Sequence, residues 1–482
     1  IDKKNIKDMY ELSPLQKGIL YHYLQDSKSN AYFEQMVLSI TGSVDAPVLE
    51  KSINALIQKY DILRTAFIHS SFDTPIQLVL KERPTTLIFK DLSCMDGSEQ
   101  QLYMEGFKLK DRENGFDLQS DVLIRFALFK LNDRKYKIIW SHHHILMDGW
   151  CIELVLKDLL RFYRESLSGD PIYVDHAFPY SSYMKWLQQQ NYEQPLAYWK
   201  NYLRDYDEYV SLPGDKPTIT KEYEPGASIF ELSEQATTQL SEIAKQNQVT
   251  LSTAFQTLWG ILLQKYNNTD DVVFGTVVSG RSADVEHIES IVGLFINTVP
   301  VRISSQRGQS IAEMMQSAQQ HAVHSEKYSY VSLSELAEHS GHRSNIIDHV
   351  IVFENYPLDM KLLNKQADLP FEITDMEAFE QTNYNLDVTV YPGERMKVVI
   401  TYNTYLYSEP FINRIGGHFQ NIIFQLARDP VMNVNQLDIL SEDERRKILE
   451  QFNSTYRDFP KHKTIQELFE EQVVRYPHTE AV

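Results

Sequence analysis

The stretch at residues 122–167 constrains the fold most, because its hydrophobic pattern changes period once along its length. Its first part, "VLIRFALFKLNDRKYKIIWSHHH", places two runs of β-branched and aromatic residues on either side of Asn132 and Asp133. This pattern predicts a β-hairpin. The sequence that follows, "WCIELVLKDLLRFYRESL", predicts an amphipathic helix that ends near Gly169. A hairpin joined directly to a helix indicates an α/β chain.

A helix that leads into a strand is predicted twice more. Residues 45–67, "DAPVLEKSINALIQKYDILRTAF", and residues 250–281, "TLSTAFQTLWGILLQKYNNTDDVVFGTVVSGR", both have this pattern. Their helices end in similar runs, "LIQKY" and "LLQKY", and Thr250 or Ser252 is expected to cap the second helix. With 482 residues, the chain is also too long for one typical core. We therefore expect two lobes of similar α/β construction.

The charge balance restricts the partners of the chain. There are 47 Lys and Arg residues against 66 Asp and Glu residues, which gives a net charge of −19 at pH 7. No basic stripe offsets this charge, so we expect no nucleic-acid partner and no anionic membrane surface. Cys94 and Cys151 are too few for a disulfide framework, and no apolar run reaches membrane-spanning length. These features favour a cytoplasmic protein.

The two ends suggest a piece of a longer polypeptide. The chain begins at Ile1 and ends in "ELFEEQVVRYPHTEAV", a helical pattern followed by a turn. Before that end, Ser441 and Glu444 form a capping-box pattern, and a polar linker follows. The predicted organisation is a first lobe, a second lobe, a linker and a separate final segment, at residues 1–175, 176–445, 446–463 and 464–482.

Three consecutive histidines end the predicted hairpin. Alternate side chains of a strand share a face, so His142 and His144 are expected on the face of Trp140, and His143 on the opposite face. A histidine at a strand end, just before a turn, occupies a common position for a reactive group. The alternative is that all three are ordinary histidines of the core or its rim.

Asp148 and Gly149 follow the histidines in the predicted turn. A metal site built from His142, His144 and Asp148 is a further alternative. No second cluster supplies the remaining ligands at recognisable spacing, so we expect no metal. Asp148 could instead cap the next helix through the amide of Cys151, and Gly149 could simply relieve the turn. The residues alone leave these interpretations open.

The segment "HHILMDG" at residues 143–149 matches the HHxxxDG motif of condensation domains in nonribosomal peptide synthetases. Further segments resemble other motifs of that family, in the family's order: "LSPLQKGILYH" at 12–22, "YDILRTAF" at 60–67, "FPYSSYMKWL" at 178–187, "VGLFINTVP" at 292–300, "VIVFENYP" at 350–357 and "NYNLDVTV" at 383–390. The resemblance covers roughly residues 8 to 445. The final segment is similar to the start of an adenylation domain.

The resemblance implies two chloramphenicol-acetyltransferase-like lobes arranged in a V, with the active site at their junction. It also implies that donor and acceptor thioesters arrive on the phosphopantetheine arms of two peptidyl carrier proteins. The α-amine of the acceptor would attack the donor thioester and form a peptide bond. The domain itself would bind no cofactor, and an adenylation domain would be its neighbour.

The resemblance further implies roles for individual residues. His144, the second histidine of the motif, is expected to align the amine and accept its proton. His143, Asp148 and Gly149 complete the predicted catalytic motif, with His143 acting through structure. Arg64 in "LRTAF" is the candidate that braces Asp148 through a bidentate ion pair. Trp150, Ser279 and Asn297 are candidates to line the site, and strand alternation alone adds His142 to them.

Other functions remain as alternatives. An epimerization domain shares the fold and the motif, but the opening motif and the adenylation-like end favour condensation. A heterocyclization domain would carry aspartate in place of the two histidines. A non-catalytic carrier-docking module should have a broken motif, whereas all four fixed residues of this motif are present. An acetyltransferase that uses coenzyme A is the last alternative, and the acidic balance and the adenylation-like end argue against it.

Overall fold

The computed structural model describes residues 2–26, 29–70, 72–169, 171–206, 209–216, 223–281, 284–340, 346–354 and 360–480. Its strands are β1 (Ile6–Glu11), β2 (Phe33–Gly42), β3 (Thr65–Ile68), β4 (Ile76–Leu80), β5 (Ile88–Asp91), β6 (Ile124–Asn132), β7 (Lys135–His143), β8 (Pro225–Glu231), β9 (Asp271–Val278), β10 (Asn297–Ser304), β11 (Val350–Phe353), β12 (Phe371–Phe379), β13 (Leu386–Tyr391) and β14 (Lys397–Asn403). Within the predicted motif at 350–357, residues 355–357 lie outside the described residues.

The helices of the described ranges connect these strands. They are α1 (Pro14–Gln25), α2 (Ala46–Lys59), α3 (Gly97–Asn114), α4 (Cys151–Leu167), α5 (Ser181–Gln188), α6 (Glu193–Tyr202), α7 (Glu234–Gln246), α8 (Leu251–Asn267), α9 (Ile311–Lys327), α10 (Leu333–Ser340), α11 (Met360–Ala367), α12 (Glu409–Arg428), α13 (Glu442–Arg446) and α14 (Ile465–Arg475). None of the helices in the described ranges is long and apolar enough to span a membrane.

The strands form three sheets within one compact unit, Ile1–Leu437. A three-stranded sheet has the order β1-β4-β3. A five-stranded sheet has the order β12-β2-β7-β6-β5, and a six-stranded sheet has the order β10-β9-β11-β13-β14-β8. Parallel pairs, such as β5 with β6 and β11 with β13, stand beside antiparallel ones. Mixed sheets with helices packed against them confirm the predicted α/β class.

Strand β12 crosses the predicted boundary between the lobes. It belongs to the second predicted lobe, yet it pairs antiparallel with β2 and begins with Phe371 opposite Gly42. Gly42 has a φ of +133°, and a Cβ there would lie 2.3 Å from the carbonyl oxygen of Pro370, so glycine permits this close approach. The two halves therefore share one sheet. The lobe boundary near residue 175 stays a prediction.

The predicted hairpin of β6 and β7 is confirmed. The two strands pair antiparallel along their length, and Trp140 on β7 stacks on Phe126 on β6 with ring centroids 5.5 Å apart. Strand β2 pairs with the other edge of β7, so β7 lies in the interior of the five-stranded sheet. The end of β7, where the three histidines lie, is thus held by neighbours on both sides.

Helix α4 follows the histidines, as predicted from the sequence. It ends at Leu167, and Gly169 adopts a left-handed φ of +78° just beyond it. Val155, Leu159 and Phe162 are buried along one face of α4, which packs against α2. Burying such side chains stabilises the fold by roughly 1.5–3 kcal/mol each. The first turn of α4 is therefore fixed relative to the sheet that carries the histidines.

The second half repeats the order of helix and strand. Thr250 caps α8, and its Oγ1 accepts a hydrogen bond from the amide of Thr253 at 3.1 Å. Helix α8 leads into β9, which pairs antiparallel with β10. Beyond β9, Gly280 has a φ of +63°, and a Cβ there would lie 1.9 Å from the carbonyl oxygen of Phe295. The segment after β9 and the segment before β10 therefore lie side by side.

Residues Asp438–Val482 form a second compact unit. Its first helix, α13, has the predicted capping box, in which the Ser441 amide donates to the Glu444 carboxylate at 2.9 Å. Helical structure continues over residues 447–451, so the predicted linker contains regular structure at its start. A second capping box, of Thr464 and Glu467, begins α14.

Candidate active site

The loop between β7 and α4 carries the candidate site. It is anchored by three consecutive apolar residues, Ile145, Leu146 and Met147, whose side chains are fully buried. The amide of His144 donates to the carbonyl oxygen of Tyr32 at 2.8 Å, which ties the start of the loop to the segment before β2. With its backbone fixed in this way, the loop presents His144 and Asp148 at defined positions.

His144 lies at the rim of the core, with 9% of its surface exposed. Its Nδ1 is 2.8 Å from the carbonyl oxygen of Met147 and 3.2 Å from Oε1 of Glu34. Both neighbours of Nδ1 are acceptors, so Nδ1 carries a proton. In the neutral imidazole, Nε2 is then the atom that can accept a proton or a hydrogen bond.

Glu34 connects two of the three histidines. It lies on β2 directly opposite His142. Its Oε2 is 2.8 Å from Nε2 of His142, while its Oε1 faces His144. Burial alone would raise the pKa of Glu34, but the charges of His144 and His142 outweigh burial and lower it. Glu34 was not predicted from the sequence. The signal was a charged residue at the same alternation as Met36 and Leu38, on the core-facing side of a strand.

His143 is on the other face of β7. It lies opposite Phe33 rather than Glu34, and its ring meets the edges of Tyr23 and Phe116 at centroid distances of 6.3 and 6.5 Å. Its Nδ1 accepts a hydrogen bond from the amide of Ile145 at 3.2 Å. Burial, together with repulsion from His144 and His142, lowers the pKa of His143 to about 3. A neutral, hydrogen-bonded imidazole of this kind supports the turn.

Asp148 is completely enclosed. Its Oδ2 accepts hydrogen bonds from the amides of Phe295 at 2.8 Å and Ile296 at 3.3 Å, and its Oδ1 is 3.3 Å from the guanidinium of Arg281. The amide of Cys151 donates to the backbone carbonyl of Asp148 rather than to the carboxylate. The alternative in which the Asp148 side chain caps α4 is therefore wrong. The carboxylate instead joins this loop to the segment before β10.

The predicted ion pair between Arg64 and Asp148 is wrong. Arg64 pairs with Asp61, three residues earlier, and donates to the carbonyl oxygens of Leu80 at 2.7 Å and Ile57 at 3.0 Å. Its guanidinium is already used by neighbouring groups. The partner of Asp148 is Arg281, which follows β9 and also donates to the carbonyl oxygen of Ile288 at 2.7 Å. Its signal in the sequence was an arginine directly after an apolar strand and a glycine.

The structure places the other predicted residues around this loop. Trp150 and Gly149 are half-buried at the start of α4, and the carbonyl oxygen of Gly149 accepts from the amide of Ile152 at 3.1 Å. Ser279, also half-buried, accepts from the amide of Arg281 at 3.4 Å. Asn297 donates to the carbonyl oxygens of Ser329 and Val331 at 2.6 and 2.8 Å, so its amide group is committed to the backbone.

A group of carboxyls faces His144 from the second half of the sequence. One carboxylate oxygen of Glu34, one ring nitrogen of His144 and one carboxylate oxygen of Glu380 all lie within 4.8 Å of one another. Glu380 reaches solvent, but crowding by protein and the charge of Glu34 raise its pKa. Burial, Glu380 and Glu34 raise the pKa of Glu354 to about 8. Burial opposes the charged form of His144, but Glu34 and Glu380 outweigh it and raise the pKa of His144 above 6.5.

This arrangement suits two kinds of cation. Glu34, His144 and Glu380 could hold a metal ion, a different set from the His142, His144 and Asp148 considered from sequence. That earlier set is not brought together, because Asp148 is occupied by Arg281 and two backbone amides. The same negative surroundings also suit an organic ammonium group beside an imidazole that can accept its proton.

Comparison with known proteins gives the family. The family model named Condensation domain matches residues 6–449. Gramicidin S synthase 2 of Brevibacillus brevis is 41% identical over 100% of this chain, which spans 11% of that protein. Tyrocidine synthase 2 of Brevibacillus parabrevis is 40% identical over 100% of this chain, which spans 13% of that protein. The chain thus covers a small part of these curated relatives.

Solved structures agree with this assignment at the level of fold. A holo four-domain nonribosomal peptide synthetase, bound to AMP and glycine, matches with a TM-score of 0.78 and 19% identity, over 99% of this chain and 37% of that one. The first condensation domain of the calcium-dependent antibiotic synthetase, in complex with a substrate analogue, matches with a TM-score of 0.72 and 20% identity, over 91% of this chain and 100% of that one. The chain belongs to the condensation-domain family of nonribosomal peptide synthesis, whose members form amide bonds.

Proposed function

We propose that this domain joins an acceptor aminoacyl thioester to a donor aminoacyl or peptidyl thioester, with His144 as the catalytic residue. The acceptor α-amine attacks the donor carbonyl, one C–N bond forms, and the donor C–S bond breaks. The thiol of the donor phosphopantetheine arm leaves with the proton that the amine loses. The observation that carries this proposal is the position of His144, whose Nδ1 faces both the carbonyl oxygen of Met147 and the carboxylate of Glu34.

The imidazole of His144 has the properties that aminolysis requires. Since Nδ1 holds its proton, Nε2 can accept a proton from the attacking amine and pass it to the departing thiolate. A base placed in this way contributes about 10²–10⁴-fold in rate. Holding both thioesters together contributes more, up to ~7–11 kcal/mol of effective molarity. His144 therefore acts within a site whose main contribution is to align the two substrates.

Asp148 serves this site without touching the substrates. Its carboxylate pairs with Arg281 and accepts from the amides of Phe295 and Ile296, so it joins the His144 loop to the segment before β10. A buried carboxylate with a guanidinium and two amides has its hydrogen-bonding capacity met, which favours a fixed geometry. We therefore assign Asp148 and Arg281 a positioning role.

The partners follow from the proposed reaction. Two peptidyl carrier proteins would deliver the thioesters on phosphopantetheine, which the carriers and not this domain would hold. Relatives such as gramicidin S synthase 2, several times longer than this chain, support a synthetase context with an adenylation domain next to α14. A cytoplasmic location is part of the same proposal.

A second function of the same fold has one supporting observation. The X-domain from teicoplanin biosynthesis matches this chain with a TM-score of 0.73 at 18% identity, and a related structure is the complex of the X-domain and OxyB. That likeness supports a protein-docking module. The intact motif of His143, His144, Asp148 and Gly149 favours catalysis instead. An epimerization domain remains the alternative among enzymes.

One assay separates these functions. Two excised carrier domains are loaded with aminoacyl thioesters, and the acceptor carrier is examined for a dipeptidyl thioester by mass spectrometry of the intact protein. Condensation predicts the dipeptide on the acceptor carrier. Inversion of the stereocentre without a new amide would support epimerization, and unchanged thioesters on both carriers would support docking.

A further inference from the structure

We propose that Glu34 is a positioning residue of the condensation reaction, which holds His144 and His142 on one carboxylate and keeps His144 ready to accept the amine proton. The proposal rests on the catalytic role of His144 proposed above. It adds a residue outside the HHxxxDG motif, from a strand far earlier in the sequence.

The geometry of Glu34 is specific. It lies on β2 in direct register with His142, and each of its carboxylate oxygens faces a different imidazole, at 2.8 Å for His142 and 3.2 Å for His144. Its side chain is 14% exposed. Among the described residues, its ion-pair partners are these two histidines. A carboxylate enclosed in this way is costly unless groups that can carry a positive charge face it, and here those groups are two imidazoles.

The position of Glu34 gives His142 a role. The sequence has a third histidine in front of the motif pair, and the ring of His142 lies against Trp140 at a centroid distance of 5.5 Å. Trp140 is fully buried, so His142 is held at a fixed place on the core face of β7. Oε2 of Glu34 lies 2.8 Å from Nε2 of His142. The other oxygen is left to face Nδ1 of His144.

The groups around His144 make Glu34 the main fixed negative charge. The carboxyls facing His144 are Glu34 on β2, Glu380 after β12, Glu354 after β11 and Asp148 in its own loop, and the nearby imidazoles are His142 and His143. The pKa values of Glu380 and Glu354 are raised, whereas the pKa of Glu34 is lowered. Asp148 is neutralised by Arg281.

A fixed charge at Nδ1 has two consequences for the reaction. First, it holds the proton on Nδ1, together with the carbonyl oxygen of Met147, so that Nε2 faces the substrate. Second, it stabilises the imidazolium that forms when Nε2 takes the amine proton, as a carboxylate does when it orients a catalytic histidine. The same charge raises the pH at which His144 becomes protonated and ceases to act as a base.

The test uses Glu34→Gln, which keeps the size of the side chain and removes its charge. We expect kcat for dipeptide formation between loaded carriers to fall about 10- to 100-fold, with KM for the acceptor carrier little changed. The acidic limb of the pH profile of kcat should move to lower pH, because the variant lacks the Glu34 charge that raises the pKa of His144. A histidine-selective NMR titration should show the same downward shift for His144 without any substrate.

Two further variants make the result decisive. Glu377→Gln removes a carboxylate from β12, whose side chain is 58% exposed, and should leave both kcat and the acidic limb as in the wild type. Glu34→Asp keeps the charge but is too short to reach both rings. It should lower kcat while its acidic limb stays near that of the wild type. This variant decides the matter if Glu34→Gln does not fold, since an unchanged kcat for Glu34→Asp would overturn the proposal.

The outcomes distinguish this proposal from the proposed function. A folded Glu34→Gln domain with wild-type kcat and an unmoved acidic limb would overturn the role of Glu34 alone, provided that His144→Ala is inactive. A folded, fully active His144→Ala domain would overturn both, because Glu34 acts through His144. A fall in kcat with no shift in either the limb or the NMR titration would also reject the positioning role, since a merely structural residue gives that result.

Discussion

The two ends of the HHxxxDG motif contact two carboxylates, the buried Asp148 and the half-buried Glu34, in opposite ways. At one end, Asp148 faces Arg281 and two backbone amides, none of which changes its charge near neutral pH. At the other end, Glu34 faces two imidazoles, and its charge raises the pKa of one of them, His144. The seven-residue motif therefore connects a permanent ion pair, between Asp148 and Arg281, to a site whose imidazole can change its charge. The difference separates the groups that fix the loop from the groups that we propose to act on the amine proton.

The largest expected effect on stability lies at the ion pair of Asp148 and Arg281. Asp148→Ala and Arg281→Ala should each destabilise the domain by about 3–5 kcal/mol, because each leaves a buried charge without its partner. The double variant should cost clearly less than the sum of the two, as measured by denaturant unfolding in a double-mutant cycle. Arg64→Ala provides the matched control. It removes an equally buried arginine whose partner is Asp61, so its effect should add to that of Asp148→Ala. If the effects of Asp148→Ala and Arg281→Ala on stability were additive, the two side chains would not interact, and the contrast between the two ends of the motif would fail.

A smaller loss of stability is expected at His143, which supports the loop structurally, as the ion pair of Asp148 and Arg281 does. His143→Ala should cost about 1–3 kcal/mol at pH 7, since the Ile145 amide loses its acceptor. His143 should contribute a loss of stability to the wild-type domain as the pH falls below 6.5, because unfolded His143 binds a proton that folded His143, with its pKa lowered to about 3, does not bind.

The free energy of unfolding of His143→Ala should fall less steeply with decreasing pH than that of the wild type. The two slopes should differ by up to about 1.4 kcal/mol per pH unit. Unfolding curves at several pH values measure this slope, with His324→Ala on the exposed face of α9 as control. Equal slopes for His143→Ala and the wild type would mean that His143 is protonated alike in the folded and unfolded states, and would reject its assignment as a neutral, structural imidazole.

The smallest effect is expected far from both ends of the motif. The segment after Asn453 belongs to the second compact unit, and its apolar side chains on α14, such as Ile465 and Phe469, are exposed. Truncation after Asn453 should leave the melting temperature and the rate of condensation nearly unchanged. A marked loss of either would mean that this segment supports the core that carries the motif.

The sequence predicted what depends on local pattern. The hairpin of β6 and β7, the helix α4 and the Thr250 cap follow from periodicity and capping chemistry within a short window, and the structure has all three. The alternation of side chains also separated His143 from His142 correctly. Such patterns say which face a residue occupies. They do not say which strand or loop lies opposite.

What the sequence could not provide was the partner across that face. Glu34 reaches the histidines only because β2 pairs with β7, and Arg281 reaches Asp148 only because the end of β9 lies beside that loop. Arg64 was the candidate because, in the family that the chain resembles, the motif aspartate pairs with an arginine, and "LRTAF" supplies the matching one. The carboxylate of Asp61, three residues before it, was the local reason to reject that choice, since a near neighbour satisfies an arginine at little entropic cost.

The central claim is that His144 acts on the proton of the attacking amine. The most direct test is the single-turnover rate of dipeptide formation between pre-loaded carriers, with a thermal melt of each variant. His144→Ala should melt like the wild type and react about 10²-fold or more slowly, while His142→Ala should be slowed much less. A folded His144→Ala domain that condenses at nearly the wild-type rate would contradict the account, as would a folded but inactive His142→Ala domain beside an active His144→Ala domain.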